Sequence, residues 1–411
     1  MTKRNCIIGQ SGGPTIAINA SLAGVINQAI KSQQFSGIYG MINGIKGLLE
    51  GRYIDLNDQF NDENKLIQLK QSPAMYLGSC RFKLPTHLED IKNFKAIFKI
   101  LKQLEITDFF YIGGNDSMDT VMKLDDYAKS INSDIRFIGV PKTIDNDLMG
   151  TDHTPGFGSA AKYVATSMLE VVHDSSIYQL RSVTIVEIMG RNAGWLTAAS
   201  ALARNEYNIA PDLIYLPEIP FDVEKFLDDI AKEFETKRSI VIAVSEGIRD
   251  RDGNFLDDDS KYAKKDAFGH VLHSGTGKKL ESLVFKRFDC KVRSIELNVL
   301  QRCAMHIAAK TDLDESFAIG NHAVNVALQG ISGHVVGFKR LSNQPYQVEY
   351  ISNDVRNVAN LEQKIPLEWI APSGNDITQE LYDYLIPLIQ GEVIIKYHNG
   401  IPQYLSCKHL I

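Results

Sequence analysis

One pattern recurs along this chain: a short apolar run ends on glycine or small polar residues, and a stretch with helical periodicity comes next. It occurs as CIIGQSGGPT before AINASLAGVINQAI, FFYIGGNDS before MDTVMKLDDYAKS, and VTIVEIMGRNAG before WLTAASALAR. The apolar runs do not alternate with polar residues, which indicates strands buried on both faces. We therefore predict an α/β protein whose mainly parallel sheets carry helices on both faces, with ligands bound beyond the carboxyl ends of the strands.

Composition argues against several classes of protein. The 411 residues are enough for two domains, and a net charge of −6 without a dense Lys/Arg stripe argues against nucleic-acid binding. The five cysteines are scattered and form no C-x-x-C pair, which favours reduced thiols in a cytoplasm over disulfides or zinc. The amino terminus has only a short apolar run and no 18-residue apolar span occurs after it, so we expect neither a signal peptide nor a membrane partner.

Two glycine-containing loops come after predicted strands. Gly12 and Gly13 lie between the first strand and the first helix, and Gly114 lies in the loop IGGND after a later strand. Glycine lets backbone N–H groups come close to an anion, and a helix N-terminus adds a favourable dipole. These loops predict a phosphate site, although a glycine pair is also what a tight turn requires.

The stretch PKTIDND, residues 141–147, is the most specific motif. It holds two carboxylates, Asp145 and Asp147, and one cation, Lys142. In an extended segment, residues two apart point to the same side, so both acids can face one site. Phosphoryl transfer needs a base for the attacking hydroxyl, a ligand for Mg²⁺ and a positive charge for the moving phosphoryl group. The alternative for these residues is an Asn/Asp turn with caps.

Three further stretches place charged residues at or after predicted strand ends. Arg191 lies among glycines in IMGRNAG, and Glu246 ends a strand in SEGI. Arg293 and Arg302 lie nine apart in RSIELNVLQR, a spacing that favours a strand and the segment after it over one helix face. Arginine binds phosphate through forked donors, and a carboxylate can hold sugar hydroxyls. The alternative is a solvated surface charge or, for Glu246, a helix-cap or salt-bridge acid.

In this order, the motifs resemble those of the phosphofructokinase family. A GGD-type loop is followed by P-x-T-I-D-N-D, M-G-R, S-E-G and Q-R at similar spacing, over about three quarters of the chain. The resemblance implies two doubly wound, mainly parallel-sheet (Rossmann-like) domains and phosphorylation of the 1-hydroxyl of fructose 6-phosphate. It implies a donor and Mg²⁺ domain over residues 1–156 plus about 301–350, a sugar-phosphate domain over 157–300, and a C-terminal extension over 351–411.

The resemblance also assigns residues to the reacting groups. Asp145 would take the proton of the sugar 1-hydroxyl, with Thr143 against the same sugar and Asp147 near the magnesium. Gly13 would contact the donor phosphates. Arg81, in LGSCRF, would stabilise the transferring phosphoryl group.

A second set of residues is implied for fructose 6-phosphate. It lines the sugar pocket, holds the hydroxyls or binds the 6-phosphate, and comprises Met189, Gly190, Arg191, Glu246 and Arg302. Arg293 matches an arginine that family members typically receive from a neighbouring subunit. A homo-oligomer, either a dimer or a tetramer, is therefore implied.

Two positions bear on the choice of phosphoryl donor. ATP-using members of the family usually have glycine where this chain has Asp116 and Lys142, whereas the pyrophosphate-using branch has Asp and Lys. A carboxylate near the place of the ATP α-phosphate would repel that group and block it sterically, and pyrophosphate avoids both effects. The resemblance therefore implies pyrophosphate as the donor. The alternative for Asp116 is a helix cap.

Three positions depart from the family pattern. Asn115 stands where an aspartate usually approaches the metal, and an amide is a weaker ligand for Mg²⁺. Val299 stands where a His or Tyr usually touches the sugar phosphate. Ser182 stands where a subunit-crossing arginine is often found, with Arg181 one place earlier. These substitutions bear on the metal shell, the affinity for the sugar and the subunit contacts.

Two other functions are weighed against pyrophosphate-dependent transfer. The first is an ATP-dependent 6-phosphofructokinase of the same fold, which Lys142 alone would permit and Asp116 argues against. The second is a catalytically silent regulatory subunit that binds sugar phosphates. Such a subunit would be expected to lose the base, whereas Asp145, Asp147 and Lys142 are all present.

Overall fold

The structure, a computed structural model, describes residues 4–177, 179–256 and 275–408. Its strands are β1 Arg4–Gln10, β2 Phe35–Met41, β3 Tyr53–Asp55, β4 Ile106–Gly113, β5 Arg136–Pro141, β6 Ser182–Ile188, β7 Leu213–Tyr215, β8 Ser239–Ser245, β9 Lys291–Glu296, β10 His334–Asn343, β11 Tyr346–Asp354, β12 Tyr397–His398 and β13 Ile401–Pro402. Its α-helices are α1 Ile18–Ser32, α2 Gly44–Leu49, α3 Glu63–Lys70, α4 Ile91–Gln103, α5 Asn115–Ser130, α6 Phe157–Ser176, α7 Trp195–Ala199, α8 Val223–Glu233, α9 Thr276–Phe288, α10 Lys310–Leu328 and α11 Gln379–Leu385.

The chain divides into two compact units. Unit 1 comprises Met1–Ser159, Arg302–Glu362 and Gln390–Ile411, and unit 2 comprises Ala160–Gln301 and Gln363–Ile389. The three strand–loop–helix segments named above each fall within one unit: β1 to α1 and β4 to α5 in unit 1, and β6 to α7 in unit 2. Each unit is therefore built around its own sheet.

The residues expected to form one C-terminal extension are divided in the structure. Residues 363–389 belong to unit 2, whereas 390–411 return to unit 1. The reason lies in aromatic packing, because α11 places the ring of Tyr384 5.3 Å from that of Trp195 within unit 2. Before this division, Asn360 hydrogen-bonds to Asn115 and Asp119 at the start of α5 in unit 1.

Unit 1 is organised around a seven-stranded sheet of order β11-β10-β5-β4-β1-β2-β3. The central strands β2, β1, β4, β5 and β10 are parallel, and only the outer pairs β10–β11 and β2–β3 are antiparallel. Successive residues of a strand face opposite sides. Ile8 and Phe110 therefore pack into a core with α1 and α10, while Ile7 and Phe109 pack into a second core with α4 and α5.

Helices α1 and α10 approach each other closely at two glycines. A Cβ at Gly24 would lie 2.0 Å from the carbonyl oxygen of Phe317, and a Cβ at Gly320 would lie 2.3 Å from that of Ser21. Only glycine allows this separation. The contact matters because α1 comes directly after the first glycine loop, and α10 supplies two buried carboxylates, Asp312 and Glu315, to the segment that comes after the PKTIDND motif.

Unit 2 contains a wholly parallel four-stranded sheet of order β7-β8-β6-β9. Helices α8 and α9 cover one core of this sheet through Phe226, Ile230, Leu280 and Val284. Two mainly parallel sheets, one in each unit, confirm the predicted α/β fold class.

From the sequence, we expect no membrane-spanning segment and no disulfides. Within the described residues, no helix combines the length and apolar character needed to cross a bilayer. All five cysteines carry free thiols, and all except Cys303 are buried.

Candidate active site

The loop between β1 and α1 contains Gly12 and Gly13. Gly12 has a φ of +81°, in the left-handed region that favours glycine. A Cβ at Gly12 would lie 3.2 Å from Nζ of Lys142, and a Cβ at Gly13 would lie 3.2 Å from Nη1 of Arg302. The two glycines therefore leave room for two cationic groups at the end of a parallel strand, where α/β proteins bind ligands.

Lys142 is the buried cation of this loop. It is 3 % exposed, and its Nζ donates a hydrogen bond to the Gly13 carbonyl at 2.7 Å. Its backbone N–H donates to the Gly113 carbonyl at 2.9 Å, which joins the loop after β5 to the end of β4. Burial lowers the pKa of Lys142 to about 8, although the negative charge of Asp145 opposes the shift. A bound anion would favour the protonated ammonium further.

The second glycine loop leads directly into α5. Gly114 is the N-cap residue of this helix and provides no side-chain cap, so Asp116 is not the cap that the alternative interpretation proposes. Asp116 lies in the first turn of α5 and is half-buried. The positive end of the helix dipole favours a negative group there, whether this is the Asp116 carboxylate or a ligand. A carboxylate at this position therefore repels a phosphate that comes as far as the first turn of α5.

The aspartate loop is held in a turn and is not a fully extended segment. Asn146, between the two aspartates, has a φ of +56°, in the left-handed region. The backbone N–H of Asp145 donates to the hydroxyl of Thr143 at 3.1 Å. The segment thus forms a turn, which was the alternative interpretation, and it also carries the two acidic residues. Asp145 raises the pKa of Asp147 through its charge, so the two carboxylates lie near each other despite the turn.

The charge around Asp147 suits a divalent cation. Burial and the nearby carboxylates of Asp145 and Glu362 raise the pKa of Asp147 to about 7. Among the described residues, no three His, Cys, Asp or Glu side chains form a ready-made metal cluster. Mg²⁺ is commonly held by one or two carboxylates together with substrate phosphates and water. The carboxylates at this loop fit a metal of that kind.

Asn115, expected near the metal, is engaged elsewhere. Its Nδ2 donates to the Leu361 carbonyl at 2.7 Å, and its Oδ1 accepts from the Asn360 N–H at 2.5 Å. Asn360 also donates to Asp119, one turn further along α5, at 3.0 Å. An aspartate at position 115 would lose the donor and face the Leu361 carbonyl with a negative charge. These contacts explain why an amide stands at this position.

We expect Asn115→Asp to detach the segment around residue 361 from α5. Loss of one hydrogen bond and an unpaired carbonyl should lower the free energy of unfolding by about 1–3 kcal/mol. Hydrogen exchange by mass spectrometry should show faster exchange at residues 360–362, and denaturant titration gives the free energy. Asn132→Asp is the matched control because it makes the same change at an exposed position just beyond the far end of α5. Unchanged exchange at 360–362 together with tighter Mg²⁺ binding would instead assign position 115 to the metal.

Arg81 lies in the loop between α3 and α4. Its side chain is exposed. Two residues earlier, the hydroxyl of Ser79 donates to the Gly12 carbonyl at 2.7 Å, which ties this loop to the first glycine loop. Arg81 is therefore carried on a segment anchored beside Gly12, the same loop that Lys142 contacts.

In unit 2, the ends of β6 and β8 bring several predicted sugar-binding residues together. Gly190 has a φ of +135°, and its N–H donates to Oε1 of Glu246 at 3.4 Å. The hydroxyl of Ser245 donates to the Gly190 carbonyl at 2.6 Å. The N–H of Met189 donates to Oε1 of the buried Gln301 at 3.2 Å. Met189, Gly190 and Glu246 thus occupy one strand-end cluster within unit 2.

Arg191 extends this cluster with a cation. Its Nε is buried and has no hydrogen-bond partner among the residues that the structure describes. A Cβ at Gly247 would lie 1.9 Å from the Arg191 carbonyl, so the chain after β8 packs directly on the Arg191 backbone. A buried guanidinium N–H without a protein acceptor is costly unless a ligand accepts from it. This atom fits an oxygen-rich ligand at the cluster.

The remaining predicted residues lie on β9 and the segment after it. Arg293, on β9, pairs with Asp174 at 2.7 Å, and Arg302 ends a short 3-10 helix over Asn298–Arg302. The two arginines thus lie on a strand and on the segment after it, as their spacing predicts. Val299, on the same 3-10 helix, is 48 % exposed. Arg181 stacks 4.2 Å over the ring of Phe234, so within unit 2 it is engaged with an aromatic ring.

Sequence reasoning missed two contributors to these sites. Glu362 lies opposite Leu148 in an antiparallel bridge and raises the pKa of Asp147 through its charge. Ser245 fixes the carbonyl of Gly190. No motif marks Glu362, because it lies in a stretch without a recognisable pattern. Ser245 precedes Glu246 in the SEGI motif, which was a usable signal.

Comparison with known proteins gives the family of this chain. The family model described as phosphofructokinase matches residues 5–326. The pyrophosphate--fructose 6-phosphate 1-phosphotransferase of Methylococcus capsulatus is 36% identical over 409 residues, covering 99% of this chain and 96% of the relative. The protein of the same name from Xanthomonas campestris is 38% identical over 413 residues, covering 100% of this chain and 97% of the relative.

A solved structure agrees in fold as well as in sequence. The pyrophosphate-dependent phosphofructokinase from Nitrosospira multiformis superposes with a TM-score of 0.89 at 36% identity, covering 98% of this chain and 96% of that one. The resemblance read from the motifs is thus confirmed over nearly the full length. With a family model matched over residues 5–326 and relatives at least 36% identical over nearly the full length, this chain belongs to the phosphofructokinase family.

Proposed function

We propose that this chain transfers a phosphoryl group from pyrophosphate to the 1-hydroxyl of fructose 6-phosphate, giving fructose 1,6-bisphosphate and phosphate. The observation that carries the proposal is the buried Lys142, which lies between the glycine loop and the aspartate loop beside Asp145. Full-length relatives that bear the name of this activity support it. The reaction is reversible in this proposal, because hydrolysis of pyrophosphate releases less free energy than hydrolysis of ATP under many cellular conditions.

The donor binds at the loops of unit 1. Gly12 and Gly13 let phosphate oxygens approach the backbone, and Lys142 and Arg302 supply positive charge next to them. Gly114 and the start of α5 add backbone N–H groups and a positive helix end. Arg81 reaches the moving phosphoryl group from its anchored loop. Phosphoryl transfer depends mainly on such positioning and charge compensation.

Asp145 is the base in this proposal. Its carboxylate accepts the proton of the sugar 1-hydroxyl while the oxygen of that hydroxyl forms a bond to the transferred phosphorus. The bond between this phosphorus and the bridging oxygen of pyrophosphate breaks, and phosphate leaves with the bonding electrons. Lys142 lies next to the site of the charge that develops. Thr143 holds Asp145 through the bond to its backbone N–H and contacts the sugar.

We assign a divalent metal, with Mg²⁺ as the expected ion, to Asp147, and phosphofructokinases generally use such a metal. When bound, it neutralises phosphate charge and orients the donor. Glu362 and Asp145 contribute the surrounding negative charge. Asn115 is left out of the metal shell, since both ends of its amide contact residues 360 and 361.

The sugar phosphate is bound by the strand-end cluster of unit 2 and by arginines. In this proposal Glu246 accepts from sugar hydroxyls, and Met189 and Gly190 shape the pocket around them. Arg191 binds an oxygen through its Nε, which has no acceptor among the described residues. Arg302 serves a phosphate group, and its guanidinium lies beside Gly13.

In this proposal Arg293 serves the sugar phosphate of a neighbouring subunit in a homo-oligomer, and Val299 lies at a sugar-phosphate position. Val299 is 48 % exposed and Leu300 is 55 % exposed, which gives the 3-10 helix an apolar surface. Arg293 lies on the neighbouring strand β9. We place the enzyme in the cytoplasm, which its free thiols favour.

The activity is tested with the purified full chain, fructose 6-phosphate and Mg²⁺, using aldolase-coupled detection of fructose 1,6-bisphosphate. Pyrophosphate should support turnover, and ATP at the same concentration should give a rate at least about 100-fold lower, because Asp116 repels a nucleotide. Fructose 1,6-bisphosphate with phosphate should produce pyrophosphate. Comparable rates with both donors would contradict the donor assignment, and no turnover with either donor would favour a regulatory subunit.

A further inference from the structure

A buried histidine that the proposed mechanism does not use lies six residues after Asp147. His153 is 3 % exposed, and both of its ring nitrogens face carboxylates. Nδ1 lies 2.8 Å from Oδ2 of Asp152, and Nε2 lies 2.9 Å from Oε2 of Glu315 on α10. A carboxylate only accepts hydrogen bonds, so both contacts are satisfied at once when both ring nitrogens carry protons. The ring also stacks on Phe338 at 4.5 Å with an interplanar angle of 4°.

Two further groups complete a charge-balanced network around the imidazole. Arg340 on β10 donates to Oδ2 of Asp152 from Nε at 3.1 Å and from Nη2 at 2.9 Å. The hydroxyl of Tyr346 on β11 donates to Oε1 of Glu315 at 2.8 Å. With His153 protonated, two carboxylates face two cations. A buried network is stable only when its members are all satisfied, so removal of one charge is expected to disturb the rest.

The segment that carries His153 also holds the aspartate loop. The N–H of Thr154 donates to Oδ1 of Asn146 at 2.9 Å, and the Thr154 hydroxyl donates to the Thr143 carbonyl at 2.9 Å. The N–H of Thr143 donates to the Pro155 carbonyl at 3.3 Å, and Thr143 pairs with Gly156 in a parallel bridge. Asn146 is the left-handed residue between the two active-site aspartates. The conformation of Asn146 is therefore held by Thr154, the residue next to His153.

Helix α10 anchors the other side of this segment. Oδ1 of Asp312 accepts from the Gly156 N–H at 2.8 Å, and its Oδ2 accepts from the Ser159 N–H at 3.0 Å. Glu315, three residues further along the helix, holds His153. The segment 152–159 is thus hydrogen-bonded to α10 near both of its ends. Through Thr154, the same segment also holds the loop 143–147 in place.

We propose that His153 is a positioning residue for phosphoryl transfer: it fixes Thr154, and through Asn146 it fixes the turn that aims the Asp145 carboxylate. The proposal rests on the proposed function, because it concerns the base of that reaction. Proton abstraction depends steeply on geometry, and a misplacement of about 1 Å can cost about 100-fold in rate. The sugar phosphate is assigned to residues of unit 2 such as Glu246 and Arg191, which lie outside segment 152–159, so KM for fructose 6-phosphate should be nearly unaffected.

The protonation state of His153 agrees with this role. Burial alone would lower the pKa of His153, but the charges of Glu315 and Asp152 and their hydrogen bonds outweigh it and raise the pKa to about 9. The groups that face the ring are Asp152 from its own segment, Glu315 from α10, Arg340 from β10 through Asp152, and Tyr346 from β11 through Glu315. A histidine whose folded-state pKa is raised stabilises the fold fully below its unfolded pKa of about 6.5 and loses that contribution as the pH rises through about 9.

The test compares the full-length wild type with His153→Gln in the pyrophosphate assay. We expect kcat to fall about 10- to 100-fold while KM for fructose 6-phosphate changes less than about 2-fold. His398→Gln is the matched control, since it makes the same change at an exposed position of unit 1 outside the network and should leave kcat within about 2-fold. Because the proposed path runs through Asn146, the losses from His153→Gln and Asn146→Ala should not multiply in the double variant.

A second readout uses thermal unfolding between pH 6 and pH 10. The melting temperature of the wild type should exceed that of His153→Gln at pH 6, and the gap should close above about pH 9; titration of Lys142 is common to both proteins and cancels. If His153→Gln does not fold, Glu315→Gln makes the same kinetic comparison with a smaller change of shape. If the wild type turns over and kcat is unchanged in both His153→Gln and Glu315→Gln, this inference alone is overturned. The same holds if the losses of kcat from His153→Gln and Asn146→Ala multiply fully in the double variant. Absence of wild-type turnover would overturn the proposed function instead.

Discussion

Asp145→Asn should lower kcat for pyrophosphate-dependent phosphorylation of fructose 6-phosphate by about 10³-fold. General-base catalysis contributes about 10²–10⁴-fold, and an amide of the same shape cannot accept the hydroxyl proton. The backbone contact of Asp145 with Thr143 does not involve the carboxylate, so the loop should keep its conformation. KM for both substrates should change little. Initial rates over a range of both substrates measure the two quantities separately.

The control for this variant is Asp58→Asn, which removes one carboxylate from an exposed position of unit 1. It should retain wild-type kcat. Both variants should unfold at the wild-type denaturant concentration within error, which excludes a folding defect. If Asp145→Asn kept more than about a tenth of the wild-type kcat, Asp145 would not be the base, and the role would pass to another carboxylate of the loop.

Combined replacement of Asp116 and Lys142 by glycine should change the donor. The notional repulsion between a carboxylate and the ATP α-phosphate at 4 Å is about 4 kcal/mol at an effective dielectric of 20. That energy corresponds to about three powers of ten in affinity. Removing Asp116 should therefore allow ATP to bind. Removing Lys142 withdraws a buried ammonium from the donor loop, so pyrophosphate activity should collapse.

The measurement is the binding of ATP by calorimetry together with the rate on each donor. The single variant Asp116→Gly separates the two effects, because it should bind ATP while it keeps Lys142. Asp126→Asn is the matched control, since it removes a charge from the same helix away from its first turn. Pyrophosphate turnover at the wild-type rate in the double variant, or no gain in ATP affinity in either glycine variant, would show that these residues do not select the donor.

The prediction of the fold from sequence rests on strand composition and loop chemistry. Runs such as FFYIG in β4 are buried on both faces and are typical of a covered, parallel sheet. The motif order then led to the family, and the match over residues 5–326 bears it out. Local pattern could not show that the chain after β11 divides between two units. Long-range packing, such as that of Tyr384 on Trp195, decides such a division.

The aspartate loop shows the limit of a local argument. Spacing two apart predicts a shared face only in an extended segment, and Asn146 is left-handed. The two carboxylates are nevertheless close enough for Asp145 to raise the pKa of Asp147. Contacts of Asn146 with Thr154, eight residues away, set the turn. Tertiary contacts, and not strand geometry, therefore bring the carboxylates of Asp145 and Asp147 close together.

The side chains of Asn115 and His153 show most clearly which features depend on the sequence and which depend on the tertiary structure. The sequence by itself determined the fold class, the order of the phosphate and aspartate loops, and the unusual pairing of Asp116 with Lys142, because these depend on residue type and short spacing. Only the tertiary structure decided the surroundings of Asn115 and His153, whose partners Leu361 and Glu315 lie 246 and 162 residues away. The physical reason is that a hydrogen bond acts over about 3 Å in space. Chain folding alone determines which distant residues come within that distance.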